Sequence, residues 1–421
     1  MNNMIIAQSG GPSPAINASL SGAISRAMAS SEIATVYGAL HGLQGLLDGQ
    51  IISLSDQMKS AKDFELLAHT PAMALGSCRF KLPVDPGETY HNVLHILRQY
   101  GIGYFFYCGG NDSMDTVARL SAFFRAQGED IKCIGIPKTV DNDLAVTDHT
   151  PGFGSAARFV AASFSEIMID SSAYPSPSVT IVEVMGRNAG WLTASSVLAR
   201  VHGFTGPHLI YLPEVPFYPK KFLARTEELL KTENNVLVAV SEGIRTEDGN
   251  YVAHAESGAI DMFGHRALGG VASALEALVR GALSEKYPTM KTRSVEPSVL
   301  QRVAMHLASG TDLHEAQDVG RMAVDAALDG KTDFMVSIKR VSNYPYLVRY
   351  ELAPLQDVAN HERKVPLEWI CDDGTNVTEE MIEYLRPLFR GNTNVTYTGG
   401  LPHFFKLDRT QIAKPLHPDA E

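Results

Sequence analysis

Short apolar runs rich in β-branched and aromatic residues alternate with longer stretches of mixed polarity through most of the chain. Residues 4–9, 103–108, 131–136, 179–184, 208–212 and 236–240 are apolar at nearly every position, the signature of strands covered on both faces, and helical stretches fall between them. This alternation predicts an α/β architecture with mainly parallel sheets. No repeat, low-complexity tract or Gly/Ser linker marks a boundary, so the chain is expected to pass between packed lobes. The expected division is a lobe over 1–150, a second over 151–310, and a remainder, 311–421, whose helix (314–328) and strand (334–338) pack back on them.

The 421 residues are 45% hydrophobic, enough to bury more than one core. Lys and Arg number 36 against 47 Asp and Glu, a formal charge of −11, and the basic residues are scattered, which argues against a nucleic-acid or anionic-membrane surface. Cys78, Cys108, Cys133 and Cys371 stand far apart with no CxxC pair, so neither a zinc site nor a disulfide framework is indicated. The N-terminal MNNMIIAQSGG lacks a basic lead and runs straight into glycine, as a first strand does and a signal peptide does not. No apolar run reaches the length of a membrane span. A cytoplasmic globular protein is expected, and the Cys, Trp and most His residues read as packing or surface.

Chemistry-bearing residues cluster just after the predicted strands, where ligands bind in open α/β sheets. After the first comes Ser9-Gly10-Gly11-Pro12-Ser13, in which the glycines let backbone amides approach a phosphate and the following helix adds its N-terminal dipole. The segment matches neither GxGxxG nor GxxxxGK[ST], and a plain strand-to-helix turn reads equally well. Next, Cys108-Gly109-Gly110-Asn111-Asp112-Ser113 opens a helix running to about residue 127, with Asp112 or Ser113 as cap or catalytic group. The third segment, Pro137-Lys138-Thr139-Val140-Asp141-Asn142-Asp143, packs a lysine, a threonine and two carboxylates into one strand end. Phosphoryl transfer needs a cation for the transferring group, a carboxylate to take the hydroxyl proton and one to hold Mg²⁺, and all are present; a solvated acidic turn is the bland alternative. Further along, Met185-Gly186-Arg187 offers a fork-shaped grip on a sugar phosphate and Glu242 a carboxylate for sugar hydroxyls. Arg293 and Arg302 suit a phosphate clamp or, equally, a surface or interface.

In order and approximate spacing, GGND, PKTVDND, EVMGRNAGW, SEG and TRSVEPSVLQR resemble the motifs of the phosphofructokinase family, from residue 4 to about 330. The resemblance implies two similar, Rossmann-like α/β lobes with the active site in the cleft between them. It also implies Mg²⁺-assisted transfer of phosphate from ATP or pyrophosphate to the 1-hydroxyl of fructose 6-phosphate. Carried over by position, Asp141 resembles the general base and Asp143 its support near the metal. Thr139, followed by Val140, resembles the residue that holds the incoming phosphate. Gly10, with Gly11 and Gly110, resembles the donor-binding glycines, and Arg79 in GSCRF a donor-phosphate arginine. Met185, Gly186, Arg187, Glu242 and Arg302 resemble sugar-phosphate contacts, with Arg187 also counted among the catalytic group. Arg293 resembles an arginine that reaches into a neighbouring subunit's site, which implies a homo-oligomer, dimer or tetramer.

Two departures bear on the donor. ATP-using members carry GGDGS and PGTIDND, whereas here Asp112 and Lys138 stand where those motifs have glycine, as in pyrophosphate-using members. A carboxylate about 5 Å from an ATP α-phosphate repels it by roughly 3 kcal/mol at an effective dielectric near 20, about a hundredfold in affinity. Lys138 adds positive charge for a departing phosphate that has no adenosine anchor. Asn111 stands where many members have a metal-reaching aspartate, so Mg²⁺ there would meet a neutral ligand or a water. Ser178 replaces a subunit-crossing arginine of bacterial ATP enzymes, so an arrangement unlike the regulated tetramer is expected. An ATP-dependent member, or a non-catalytic subunit of the same fold, remains the alternative; a dinucleotide-binding dehydrogenase lacks its opening glycine fingerprint.

Overall fold

The apolar runs become strands that helices cover. The computed structural model describes residues 2–78, 80–253 and 270–412. In chain order the strands of its two main sheets are β1 (Asn2–Gln8), β2 (Ile33–Ala39), β3 (Ile51–Ser53), β4 (Ile102–Gly109), β5 (Lys132–Pro137), β6 (Ser178–Val184), β7 (Leu209–Tyr211), β8 (Asn235–Ser241), β9 (Lys291–Val295), β10 (Phe334–Asn343) and β11 (Tyr346–Pro354). Every residue of β4 and of β8 is buried, as a strand with helices on both faces requires.

The first sheet has the order β11-β10-β5-β4-β1-β2-β3, with parallel pairing throughout except at its two edges, β3 and β11. The chain lays β2 and β3 to one side of β1 and then crosses to place β4 on the other. That reversal opens a crevice at the carboxyl ends of β1 and β4. The second sheet, β7-β8-β6-β9, is wholly parallel, and β6 lies between β8 and β9. After it the chain returns: β10 joins β5 through Phe334↔Ile134 and Met335↔Gly135 before turning back as β11.

Four of these strands have no counterpart in the periodic reading. β9 is half-exposed at most positions and β11 carries polar residues among its apolar ones, so neither shows an unbroken apolar run. β2 is broken by a glycine and β3 is only three residues long.

The helix Phe153–Ser172 connects β5 to the second sheet and receives no side-chain cap from Gly152. Asp312, 3% exposed on the helix Gly310–Leu328, supplies it, accepting the Gly152 and Ser155 N–H groups at 2.8 and 2.9 Å. Among the described residues no helix is long and apolar enough to cross a membrane.

Candidate active site

Because β1, β4 and β5 are neighbours, the three glycine- and charge-bearing loops that follow them lie side by side. They are cross-tied. The Ser9 and Ser113 hydroxyls hydrogen-bond to each other, and the Lys138 N–H donates to the Gly109 carbonyl at 3.0 Å. A Cβ on Gly109 would sit 1.9 Å from Ser113 Oγ, so this close approach needs glycine. Gly10 turns at φ +78°, and below it the Lys138 ammonium donates to the Gly11 carbonyl at 2.6 Å. Lys138 is 3% exposed, and burial pulls its ammonium down to about 8, opposed by Cys108, Asp141 and Asp143.

Beyond Lys138, the Asp141 N–H donates to Thr139 Oγ1 at 3.1 Å, and Thr139 bridges to Gly152. Asp141 and Asp143 keep some surface open, yet both sit deep enough for burial to raise their carboxyls above the usual carboxylate range. Glu242 adds repulsion at Asp141, while Lys138, Arg302 and Arg187 draw it back; Asp141 and Glu362 both raise Asp143. A carboxylate of raised proton affinity among cations suits a base that works near neutral pH. Asn142, between the two, is fully buried with φ +56°.

The facing wall comes from the second sheet. β6 is followed directly by Met185-Gly186-Arg187 and β8 by Glu242, which accepts the Gly186 N–H at 3.2 Å. Ser241 Oγ donates to the Gly186 carbonyl, and Met185 N–H donates to Gln301 Oε1 at 3.0 Å. Gln301 belongs to the short helical turn Ser298–Arg302, so this bond also seats Arg302. Arg302 spans the cleft: a Cβ added to Gly11 would lie 3.5 Å from its Nη1. Between the walls lies a cavity of about 550 Å³ bordered by Gly10, Gly110, Asn111, Asp112, Ser113 and Asp143 on one side and Arg187 and Asn188 on the other. A larger groove of about 740 Å³, between Thr70 and Arg409, contains none of the strand-end motifs.

The structure therefore brings together Gly10, Gly11, Gly110, Asn111, Asp112, Lys138, Thr139, Asp141, Asp143, Met185, Gly186, Arg187, Glu242 and Arg302 from separate strand ends. Val140 is 7% exposed, and its side chain packs in the apolar core around the second sheet. Asp112 is exposed in the first turn of the helix Asn111–Ala126. The Asn111 carboxamide, turned to satisfy its neighbours, donates to the carbonyls of Val358 and His361 at 3.1 Å each, so its oxygen is the side-chain atom that can serve as a ligand. Arg293 lies elsewhere: on β9, paired with Asp170 at 2.7 Å on the outer surface. Arg79 falls outside the described residues.

Two cavity-lining residues had no signal in the sequence, Asn360 and Glu362. They belong to an irregular segment after the helical turn Leu355–Val358 that reaches the cleft through the isolated Leu144↔Glu362 bridge and the Arg363 N–H to Asp143 carbonyl bond of 2.8 Å. Glu362 also accepts from Asn188 at 3.0 Å, which links the segment to the opposite wall.

The comparisons with known proteins agree with this geometry. The family model "Phosphofructokinase" matches residues 3–326. Over 99% of this chain and 98% of the relative, the sequence is 41% identical to the pyrophosphate--fructose 6-phosphate 1-phosphotransferase of Halomonas elongata. It is 42% identical to the enzyme of the same name from Xanthomonas campestris, over 98% of each. A crystal structure of the pyrophosphate-dependent phosphofructokinase of Marinobacter aquaeolei superimposes with a TM-score of 0.87 and 38% identity over 99% of both chains. Motifs, sheet order and full-length likeness converge, and the chain belongs to the phosphofructokinase family.

Proposed function

We propose that this chain transfers a phosphoryl group from pyrophosphate to the 1-hydroxyl of fructose 6-phosphate, giving fructose 1,6-bisphosphate and phosphate, and runs in both directions. The observation that carries the donor assignment is Lys138, a buried ammonium bonded beneath the Gly10 turn and close enough to Asp141 and Asp143 to feel their charge. Asp112, open on the cavity wall, supports it by disfavouring the α-phosphate of a nucleotide.

In this reading Asp141 takes the proton of the 1-hydroxyl as its oxygen attacks the near phosphorus of pyrophosphate. The bridging P–O bond breaks and its electron pair leaves with phosphate, whose charge Lys138 meets. Arg187 and Arg302 hold the sugar phosphate, and Glu242 accepts from sugar hydroxyls. The family implies a divalent cation, which we assign to Mg²⁺. Asp143 and the Asn111 carboxamide oxygen border the same cavity, and among the described residues no group of three acidic, His or Cys side chains gathers to cage a metal. That sparse set of oxygen donors fits a cation that keeps waters and takes the rest of its ligands from substrate phosphates. When bound, it would neutralise charge developing on the transferred group. Arg293, turned outward in its own chain, is assigned to a neighbouring subunit's cleft in a homo-oligomer.

Initial rates of the purified protein with fructose 6-phosphate and Mg²⁺ test the reading. Pyrophosphate supports turnover and ATP does not, while Asp112→Gly gains ATP use by up to about a hundredfold. Turnover of the wild type with ATP alone would refute the donor assignment.

A further inference from the structure

The helix Glu379–Leu385 lies beyond residue 326, where the family match ends. Its Tyr384 is 5% exposed, and its ring packs against Trp191 and Trp369 at centroid separations of 5.2 and 5.4 Å, with the Arg340 guanidinium 4.5 Å from the ring centre. The hydroxyl at its tip sits directly behind the Asp141–Asp143 loop. It accepts from Asn142 Nδ2 at 2.9 Å and from Arg363 Nη1 at 3.4 Å, and it donates its one hydrogen to the Asp148 carbonyl at 2.8 Å. A phenolic oxygen has one hydrogen to give, so the direction of each bond is fixed.

Asn142 is the residue between the two carboxylates. It has no exposed surface, and its φ of +56° lies in the left-handed region, which asparagine enters more readily than most residues because its short polar side chain can hydrogen-bond locally. Two bonds hold it there: the one to Tyr384, and the Thr150 N–H donating to its Oδ1 at 3.0 Å. Turning Asn142 would turn Asp141 and Asp143 with it, since the three share consecutive peptide planes.

The geometry points to Tyr384 as a positioning residue for the proposed base, acting through Asn142. This inference rests on the reading of Asp141 given above. Tyr384 lines no part of the cleft cavity. Its hydroxyl fixes the backbone from which Asp141 projects, whereas Arg302, Arg187 and the Gly10 turn are carried by other elements. Removing the hydroxyl leaves the Asn142 amide hydrogen without a partner in a site closed to water, and the loop relaxes to satisfy it. A small displacement of a catalytic group lowers the rate of the chemical step while binding of either substrate stays largely as it was.

The test is a double-variant cycle in the full-length protein, with fructose 6-phosphate and pyrophosphate as substrates. Tyr384→Phe keeps the ring packing. It is expected to lower kcat by roughly tenfold with KM for both substrates within about twofold of wild type. The double variant with Asn142→Ala should be no slower than Asn142→Ala alone, because both changes act on one path; Asn142→Ser replaces it in the cycle if Asn142→Ala does not fold. A wild-type kcat in Tyr384→Phe overturns the inference. So do losses that multiply in the double variant, or a fall in kcat matched by an equal rise in KM. Asp141→Asn serves as control: if it keeps its rate, the base assignment fails first, and if it is inactive while Tyr384→Phe is as fast as wild type, only the role of Tyr384 falls.

Discussion

On the first-sheet wall of the cleft the loop that bears the charged groups is tied down: the Lys138 ammonium to the Gly11 carbonyl, the Asp141 N–H to the Thr139 hydroxyl, and Asn142 to Tyr384 behind them. On the second-sheet wall, it is the supports that are tied down. Glu242 holds Gly186 and Gln301 holds Met185, while Arg187 and Arg302 extend part-exposed toward the facing loops. Burial has shifted the proton affinities of Lys138, Asp141 and Asp143 on the first wall, and on the second it raises the carboxyl of Glu242, one of the supports, while Arg187 and Arg302 stay part-exposed. The contrast assigns work by construction: groups whose protonation must be set are fixed and desolvated, and groups that need only present charge to a phosphate reach across from a braced turn.

The sharpest way to break that division is at Asp141. Asp141→Asn keeps size and polarity but cannot take a proton, so kcat should fall by roughly 10²- to 10⁴-fold while the KM for fructose 6-phosphate stays close to wild type. A variant that instead loses sugar binding at near-normal kcat would put Asp141 on the wrong wall.

On the other wall the signature should invert. Arg302→Ala should raise KM for fructose 6-phosphate by roughly ten- to a hundredfold with a smaller change in kcat, since charge-assisted bonds to one phosphate are lost. Arg293 sharpens the comparison because it faces Asp170 in its own chain. If it serves a neighbour's cleft, mixing and reassociating Arg293→Ala with Asp141→Asn chains restores activity that neither has alone, since some sites then combine an intact base with an intact arginine. Kinetic parameters and activity of the mixture measured side by side decide the matter, and no recovery would confine Arg293 to the surface.

The smallest expected effect is a pH dependence. Lys138 titrates at about 8 in the folded chain against an ordinary 10.5. The charged form, needed for the departing phosphate, is therefore lost as pH rises through 8, and kcat/KM for pyrophosphate should drop about tenfold between pH 7 and 9. Stability responds with the opposite sign. Between about 8 and 10.5 the unfolded chain binds more protons at this position than the folded one, so this group's contribution to stability rises with pH there. Rates and thermal midpoints across that window check both signs, and Lys138→Met should flatten the alkaline limb at a much lower rate.

The parts of this arrangement that were legible in the sequence share a physical cause. β1, β4, β5, β6 and β8 are buried on both faces along most of their length, so their apolar runs are nearly unbroken, and the motifs follow directly at their ends. β9 and β11 lie at sheet edges with one side toward solvent, and their mixed polarity hides them. The segment carrying Asn360 and Glu362 has no period at all, because its place is set by bonds to Asn111 and Asp143 rather than by an apolar face. Asn142 reads as a spacer between two acids, and only its complete burial reveals that it is the fixed point of the loop. His149 belongs to the residues read as packing or surface. It is in fact held between Asp148 and Glu315, at 2.7 and 2.6 Å, whose charges raise it to about 9 against the pull of burial.

The return of β10 to β5 has a consequence for how the chain is made. The first sheet opens at residue 2 but closes only with residue 354, after the whole second sheet has been threaded between. During synthesis β5, with Ile134 and Ile136 fully buried in the finished molecule, emerges early and waits with one edge unpaired until residues 334 and 335 leave the ribosome. An apolar edge left open that long is a template for the wrong partner. The order in which the lobes are translated thus makes a late-made strand, β10, the guard of the strand whose end bears Lys138.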